Sequence, residues 1–244
     1  MGLFDSKVKF QDACLFPSLE DCAARILADE NGALRTEEDA LSMLSSLKSL
    51  GVSVVYLTPQ ISDDTPYKTV DVMLAAQRLR NLVGEDFTIC PGASYMIDDV
   101  FRYRLEQGDL LPLGKDRSYI LVETFTYNSP HDFYDIFTRI QEMGYTPLLM
   151  HPERYMYLSE NDYRRLCQLG VQMQISLPGL LGEHGEEVQR KAQWLLEEGL
   201  VLSVGTEVES EAQIKAMETH SLKKSTIRRL LNLPGLLERI LPED

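Results

Sequence analysis

Residues 36–57 read TEEDALSMLSSLKSLGVSVVYL and contain one full unit of the pattern that decides the fold. Thr36 and the three acids after it are typical of a helix start, with a side-chain cap and negative charge in the first turn. Apolar residues then recur at helical spacing as far as Gly51, which is typical of a helix end. The β-branched run 52–57 predicts a strand. This stretch therefore predicts a helix that leads into a strand.

The same unit repeats along the rest of the chain. The predicted helices cover residues 69–83, 97–107, 132–143, 160–169 and 186–198, and two terminal helices cover residues 221–232 and 236–241. The predicted strands cover residues 52–57, 87–90, 119–122, 147–150, 171–176 and 200–204. Alternation of strand, helix and glycine predicts a parallel α/β sheet, either closed as a barrel or open and doubly wound. No linker rich in Pro, Gly or Ser interrupts it, so residues 1–244 are predicted to form a single domain.

Composition and charge exclude several classes of function. The chain has 24 Lys and Arg against 38 Asp and Glu, a net charge of −14, and such a field repels phosphate backbones. We therefore expect no nucleic-acid binding. The four cysteines form no C-x-x-C pair, which fits reduced thiols in the cytoplasm. No apolar run approaches the length of a transmembrane span, and the first residues carry no signal-segment pattern.

Polar side chains gather just after the predicted strands. In a barrel of parallel strands, the functional site lies at the carboxyl ends of the strands. One His with several carboxylates could hold a single cation, and an Arg could bind a phosphate with two hydrogen bonds. A purely structural network of hydrogen bonds and ion pairs would explain the same residues. The gathered residues are Glu123, His151, Glu153, Arg154, Glu207 and Glu209.

The strand-end segments resemble the bacterial PHP-type (polymerase and histidinol phosphatase) protein tyrosine phosphatases, which are manganese-dependent enzymes of capsule and exopolysaccharide control. The most specific segments are LMHPERY at 149–155, YMIDD at 95–99, GDLL at 108–111 followed by LG at 113–114, and VGT at 204–206. The resemblance covers nearly the whole chain. It implies a distorted TIM-like (β/α)7 barrel of the PHP type with up to three metals at its mouth.

Several positions depart from the ligand pattern of that family. The opening Asp-x-His-x-His motif of the family aligns with Glu20–Ala24, so its two histidines are replaced by Cys22 and Ala24. Gln60 stands in place of a histidine, and Ser94 stands in place of a bridging glutamate. The late Asp-x-His is Glu207-x-Glu209. The four histidines of the chain are all at position 131 or later, so none can fill the early positions.

The resemblance also implies roles for the residues that remain. Glu123 and Arg154 are the candidates for catalysis, and Arg154 with Ser94 and Gln60 are the candidates for binding phosphate or another ligand. A reduced metal site would use His151, Glu123 and Glu207. The cofactor is then either none or a single weakly bound divalent metal, which is manganese in the family. The other histidines, His131, His184 and His220, are predicted to lie on the surface.

Three functions follow as hypotheses. The first is a degenerate member of the family with little or no metal-dependent phosphatase activity and a binding or regulatory role. Its partner would be a phosphorylated tyrosine kinase or another capsule-assembly protein. The second is an active phosphotyrosine phosphatase with a reduced or rewired metal site. The third is a different enzyme that reuses the mouth of the barrel, since a fold does not fix a function.

Overall fold

The computed structural model describes residues 6–9, 36–49, 52–114, 116–208 and 210–236, and the backbone of residues 20–24. The helices are α1 (Glu37–Ser49), α2 (Thr69–Val83), α3 (Asp99–Gln107), α4 (Phe133–Glu142), α5 (Glu160–Gln168), α6 (Leu177–Leu181), α7 (Glu186–Glu197), α8 (Glu211–Thr219) and α9 (Lys224–Leu231). The strands are β1 (Lys7–Lys9), β2 (Glu20–Ala24), β3 (Val54–Leu57), β4 (Gln60–Ile61), β5 (Thr88–Pro91), β6 (Ser94–Met96), β7 (Tyr119–Glu123), β8 (Thr146–Met150), β9 (Gln172–Ser176), β10 (Ser203–Gly205) and β11 (Ser221–Lys223).

The parallel sheet is built in two pieces. One has six strands in the order β10-β9-β8-β7-β6-β4, and the other has three in the order β2-β3-β5. The pieces are joined because β3 runs on into β4 and β5 runs on into β6. Two hydrogen bonds span these breaks, from Gly92 N to the carbonyl of Leu57 at 2.9 Å and from Ser94 N to the carbonyl of Pro59 at 3.1 Å. The result is a curled parallel sheet, and Cα atoms of β10 lie within 8 Å of Cα atoms of β2.

Side chains of the strands alternate between two apolar clusters, as the pleat of a strand requires. On β7, Ile120 and Val122 pack in the large cluster that includes the helices. Tyr119 and Leu121 belong instead to a smaller cluster with Leu148 and Met150 of β8. Glu123 follows at the same two-residue spacing, so β7 directs it to the side of the sheet that faces away from the helices.

Most predicted elements are confirmed, and the differences have local causes. The helix predicted over 69–83 has those bounds as α2. The start predicted at Thr36 is confirmed by hydrogen bonds between the side chains and backbones of Thr36 and Asp39. The helix predicted over 221–232 is wrong in its first three residues, because they pair with β1 as strand β11. Most of the helix predicted over 236–241 lies outside the described residues.

The nine-residue helix α8 and the five-residue strand β2 were missed in the sequence analysis, while the other elements that it did not predict are short. They include β4 and β6, which have two and three residues, and α6, whose sequence LPGLL contains both Pro and Gly. Segments this short contain too few residues to show a periodic apolar pattern. Among the described residues, no helix has the combination of length and apolar character that crossing a bilayer requires.

Candidate functional site

A chain of three buried side chains lies at the carboxyl edge of the curled sheet. Ser94, at the start of β6, donates its hydroxyl to Oε1 of Glu123 at 2.9 Å. The other carboxylate oxygen, Oε2, lies 3.3 Å from Nε2 of His151. Neighbouring parallel strands bring these residues together, since β6 pairs with β7 and β7 pairs with β8. The arrangement fixes the orientation of the Glu123 carboxylate between a hydroxyl and an imidazole.

His151 and Glu207 each follow a strand with a backbone in the left-handed region. Their φ angles are 37° and 50°, and they are two of the three non-glycine residues with positive φ in the described part of the chain. Residues other than glycine rarely adopt this backbone conformation, because it is strained. Residues strained in this way cluster at functional sites. The sharp turn after β8 is held by a 2.7 Å hydrogen bond from His151 N to the carbonyl of Gln174.

The charge on His151 is set by its two acidic neighbours. Burial alone disfavours the charged imidazole, but the charge of Glu207 and the hydrogen bond and charge of Glu123 outweigh burial and raise the pKa of His151. Nδ1 of the ring is buried and has no hydrogen-bond partner. The imidazole is therefore held in its charged form to a higher pH than a free histidine.

Glu153 is fully buried beside this group. Burial raises the pKa of its carboxyl to about 7, and the nearby charge of Glu207 acts in the same direction. Oε1 accepts a 2.8 Å hydrogen bond from the backbone N–H of Ser176, while Oε2 has no partner. The lack of a side chain at Gly179 lets α6 pass close to the Glu153 carboxyl, because a Cβ there would lie 2.8 Å from Oε1 of Glu153.

Arg154 and His184 approach Glu207 from the more open side. Nη1 of Arg154 lies 3.7 Å from Oε2 of Glu207, and Nε2 of His184 lies 4.0 Å from the same oxygen. The Arg154 side chain is 33% exposed. Partial burial and the positive charge of Arg154 lower the pKa of His184.

His184 is a residue of the site that the sequence did not reveal. It is exposed, as predicted, but its ring also faces Glu207. Its sequence context, a loop of Gly, Glu, His and Gly, contains no signal of a site. Only the packing of the segment between α6 and α7 places it there.

Tyr155 supports the site from below. Its ring is completely buried, and its hydroxyl donates to the carbonyl of Met150 at 2.8 Å. The same hydroxyl accepts a 3.1 Å hydrogen bond from the backbone N–H of Thr124. These two backbone groups are next to His151 and Glu123, so Tyr155 ties the ends of β7 and β8 together.

The remaining predicted residues lie around this group or outside the description. Gln60 is half-buried in β4, where its backbone pairs with Ser94. The roles of Gln60 and Ser94 in binding phosphate stay predictions. Cys22 and Ala24 lie in β2, of which only the backbone is described. Glu209 lies outside the described residues.

The described side chains do not fit a multinuclear metal centre. They contain no group of three or more His, Cys, Asp or Glu arranged to hold a metal ion. Both carboxylate oxygens of Glu123 have partners within the protein, and Ser94 and Gln60 supply no anionic ligand. A centre with several cations needs several anionic or imidazole donors for each cation, held by second-shell partners.

Fold and site together define the class of protein. It is a parallel α/β protein whose carboxylate, imidazole and guanidinium groups meet at the carboxyl ends of the strands. The profile of the CpsB/CapC family, described as capsular polysaccharide synthesis, matches residues 21–225. This chain belongs to that family, which confirms the resemblance found in the sequence.

Named relatives agree with this assignment. The chain is 26% identical over 201 residues to the tyrosine-protein phosphatase CpsB of Streptococcus pneumoniae, covering 77% of this chain and 82% of the relative. It is 27% identical over 194 residues to the tyrosine-protein phosphatase YwqE of Bacillus subtilis, covering 77% and 76%. A crystal structure from a study of YwqE and CpsB, described as unique metal-dependent tyrosine phosphatases, superposes with a TM-score of 0.73 at 20% identity. That match covers 92% of this chain and 96% of the other, and it supports the fold.

Proposed function

We propose that this chain is a binding or regulatory member of its family with little or no metal-dependent phosphatase activity. The observation that carries the proposal is the Ser94–Glu123–His151 chain of hydrogen bonds. In this chain of hydrogen bonds, the Glu123 carboxylate and one nitrogen of the His151 imidazole already have protein partners. A metal centre would need the same atoms as ligands. Metal-dependent phosphoester hydrolysis relies on cations that activate water and neutralise phosphoryl oxygens. A site that holds no such cations could still bind a ligand without turning it over.

The ligand that fits this proposal carries a phosphate group, and phosphotyrosine on a capsule-assembly tyrosine kinase is its proposed source. Arg154 is the cationic group at the open side of the site, and a guanidinium can form two parallel hydrogen bonds to a phosphate. Its present partner, Glu207, is 3.7 Å away, so a phosphate would compete with a carboxylate for Arg154. The acidic neighbours of His151 raise its pKa, which favours a positive charge on the imidazole and lowers the cost of bringing in an anion.

Elemental analysis beside a hydrolysis assay tests the catalytic half of the proposal. The protein is incubated with manganese, zinc and iron and desalted, and its metal content and its turnover of a phosphotyrosine peptide are measured. We expect less than one metal per chain and no turnover above the protein-free rate. Stoichiometric metal with enzymatic turnover would refute the proposal.

Fluorescence anisotropy with a labelled phosphotyrosine peptide in metal-free buffer tests the binding half. We expect the phosphopeptide to bind more tightly than its unphosphorylated form. Arg154→Gln should weaken binding about tenfold, the equivalent of about 1.4 kcal/mol. Arg164→Gln removes a cation that sits on α5 with Glu160 and Glu198 as partners, and it should leave binding unchanged. Equal effects of the two variants would contradict a specific role of Arg154.

One observation favours the second candidate, an active phosphatase with a reduced metal site. Nδ1 of His151, Oε2 of Glu153 and Oε1 of Glu207 are buried without hydrogen-bond partners, and their charges influence one another. Unpaired buried polar atoms point to a missing partner such as a water or a cation. If turnover is found, His151→Ala, Glu123→Gln and Glu207→Gln should each abolish it while the chain stays folded. Activity in all three would eliminate this candidate.

We also propose that the curled sheet closes into the distorted (β/α)7 barrel, with the chain forming a single cytoplasmic domain. The approach of β10 to β2 supports closure. A single cooperative unfolding transition, seen identically by fluorescence and by circular dichroism, is the expected result for one domain. Two separate transitions would contradict it, and cell fractionation tests the location.

A further inference from the structure

Two aromatic side chains are exposed on the loop that follows β7. Phe125 is 55% exposed and Tyr127 is 75% exposed, although large aromatic side chains are usually well covered. The segment 124–130, TFTYNSP, contains no charged residue, whereas 25% of the whole chain is charged. Surfaces that contact a partner are enriched in aromatic residues and depleted in charged ones, so this loop has the composition of a contact surface.

Two hydrogen bonds hold the loop against the turn that carries Arg154. The backbone N–H of Thr124 donates to the hydroxyl of Tyr155 at 3.1 Å. The backbone N–H of Met156 donates to the carbonyl of Thr126 at 2.8 Å. Tyr155 and Met156 directly follow Arg154, and the two threonines alternate with the two aromatic residues of the loop. The aromatic residues therefore lie beside the cation that the proposed function assigns to phosphate.

Further contacts fix the backbone of the loop. The N–H of Phe133, where α4 begins, donates to the carbonyl of Pro130 at 3.3 Å. The ring of Phe133 packs edge-on against that of Tyr157, with 5.8 Å between the ring centroids. The hydroxyl of Tyr157 in turn lies 3.4 Å from Oγ1 of Thr124. Because the loop backbone is ordered before a ligand arrives, binding there costs little conformational entropy.

We propose that Phe125 and Tyr127 form an aromatic rim that packs against the ring of a phosphotyrosine residue. This inference rests on the proposed function, in which Arg154 holds the phosphate. In phosphotyrosine the ring is bonded directly to the bridging oxygen of the phosphate, so a phosphate bound to Arg154 brings the ring to the neighbouring surface. Phosphoserine has only a methylene group in that place. Offset or edge-to-face contacts between rings then make the site select aromatic phosphoesters over aliphatic ones.

Fluorescence anisotropy in metal-free buffer tests the proposal with two labelled peptides, identical except that one carries phosphotyrosine and the other phosphoserine. We expect the phosphotyrosine peptide to bind more tightly. Phe125→Ala and Tyr127→Ala should each weaken its binding about fivefold, as expected for the loss of one aromatic contact. The same variants should leave the binding of the phosphoserine peptide unchanged. Tyr127→Phe keeps the ring and should bind both peptides like the wild type.

Tyr103→Ala is the matched control, because Tyr103 is an aromatic residue of α3 that is 65% exposed. It should leave the binding of both peptides unchanged. Equal affinity for the two phosphopeptides, an equal loss for both peptides in Phe125→Ala and Tyr127→Ala, or a similar loss in Tyr103→Ala would overturn the aromatic rim. If Arg154→Gln still weakens binding in those cases, the proposed function stands without the rim. If neither peptide binds, or Arg154→Gln has no effect, the proposed function fails together with the rim.

Discussion

The hydroxyl of Ser94 donates to Oε1 of Glu123 at 2.9 Å, between two neighbouring strands of the parallel sheet. Both residues are almost completely buried. A buried carboxylate is stable only when its oxygens have partners, and Ser94 supplies one of them. The family resemblance implies a bridging glutamate at position 94, and the serine found there donates a hydrogen bond to its neighbour Glu123.

Glu153→Gln should flatten the dependence of stability on pH. The pKa of Glu153 is raised from 4.5 to about 7, so the folded state holds a proton that the unfolded state has already released. The stabilisation that this proton contributes is therefore fully present below about pH 4.5 and is lost as the pH rises through about 7. Urea unfolding at a series of pH values measures this effect. Across this pH window, the free energy of unfolding of the variant should rise by up to about 3 kcal/mol relative to that of the wild type.

A matched control for that prediction is Glu142→Gln, which changes an exposed carboxyl of α4. Its profile should run parallel to that of the wild-type protein. An unchanged slope in Glu153→Gln would mean that the Glu153 carboxyl ionises normally in the folded protein.

Glu207→Gln should lower the pKa of His151. The charge of Glu207 is the largest of the influences that favour the charged imidazole. Burial disfavours the charged imidazole, and without the Glu207 charge less remains to offset it. The measurement is an NMR titration of the His151 ring protons, with His131, whose side chain is 88% exposed, as an internal reference. A His151 titration identical to that of the wild type would show that the two side chains do not face each other in solution.

Tyr155→Phe should destabilise the protein by about 1–3 kcal/mol, because two buried backbone groups lose a hydrogen-bond partner. Those groups are the carbonyl of Met150 and the N–H of Thr124. Chemical unfolding measures the loss. Tyr157→Phe is the control, since its hydroxyl makes a longer 3.4 Å contact to Oγ1 of Thr124 and lies on a less buried ring. A loss in the control as large as in Tyr155→Phe would argue against the proposed link between β7 and β8.

Gly179→Ala should cost about 1–3 kcal/mol, as expected when a methyl group is forced into a packed interior. The new Cβ would lie 2.7 Å from Oγ of Ser176 and 2.8 Å from Oε1 of Glu153. In a double-mutant cycle with Glu153→Ala, the combined cost should be smaller than the sum, because one of the clashing groups is gone. Strict additivity would place Glu153 away from Gly179.

The sequence by itself determined the alternation of helices and strands and the identity of the residues at the strand ends. Local rules suffice there, since a helix such as α2 can be predicted from the spacing of its apolar residues and from the glycine that follows it. The glutamine at position 60 and the serine at position 94, where the resemblance implies metal ligands, were equally visible, because they need only the identity of the residue. Missed in the sequence analysis were the helix α8 and most of the shortest elements, including β11, which pairs with a strand more than two hundred residues earlier.

Only the tertiary structure decided which side chains meet. Several contacts join residues that are distant in the chain. Ser94 donates to Glu123, His184 lies near Glu207, and Lys7 is the strand partner of Lys223. Such contacts depend on strand order and register, which local propensity does not fix. The raised pKa of Glu153 has the same origin, because burial and the charge of Glu207 exist only once the sheet has brought the strand ends together.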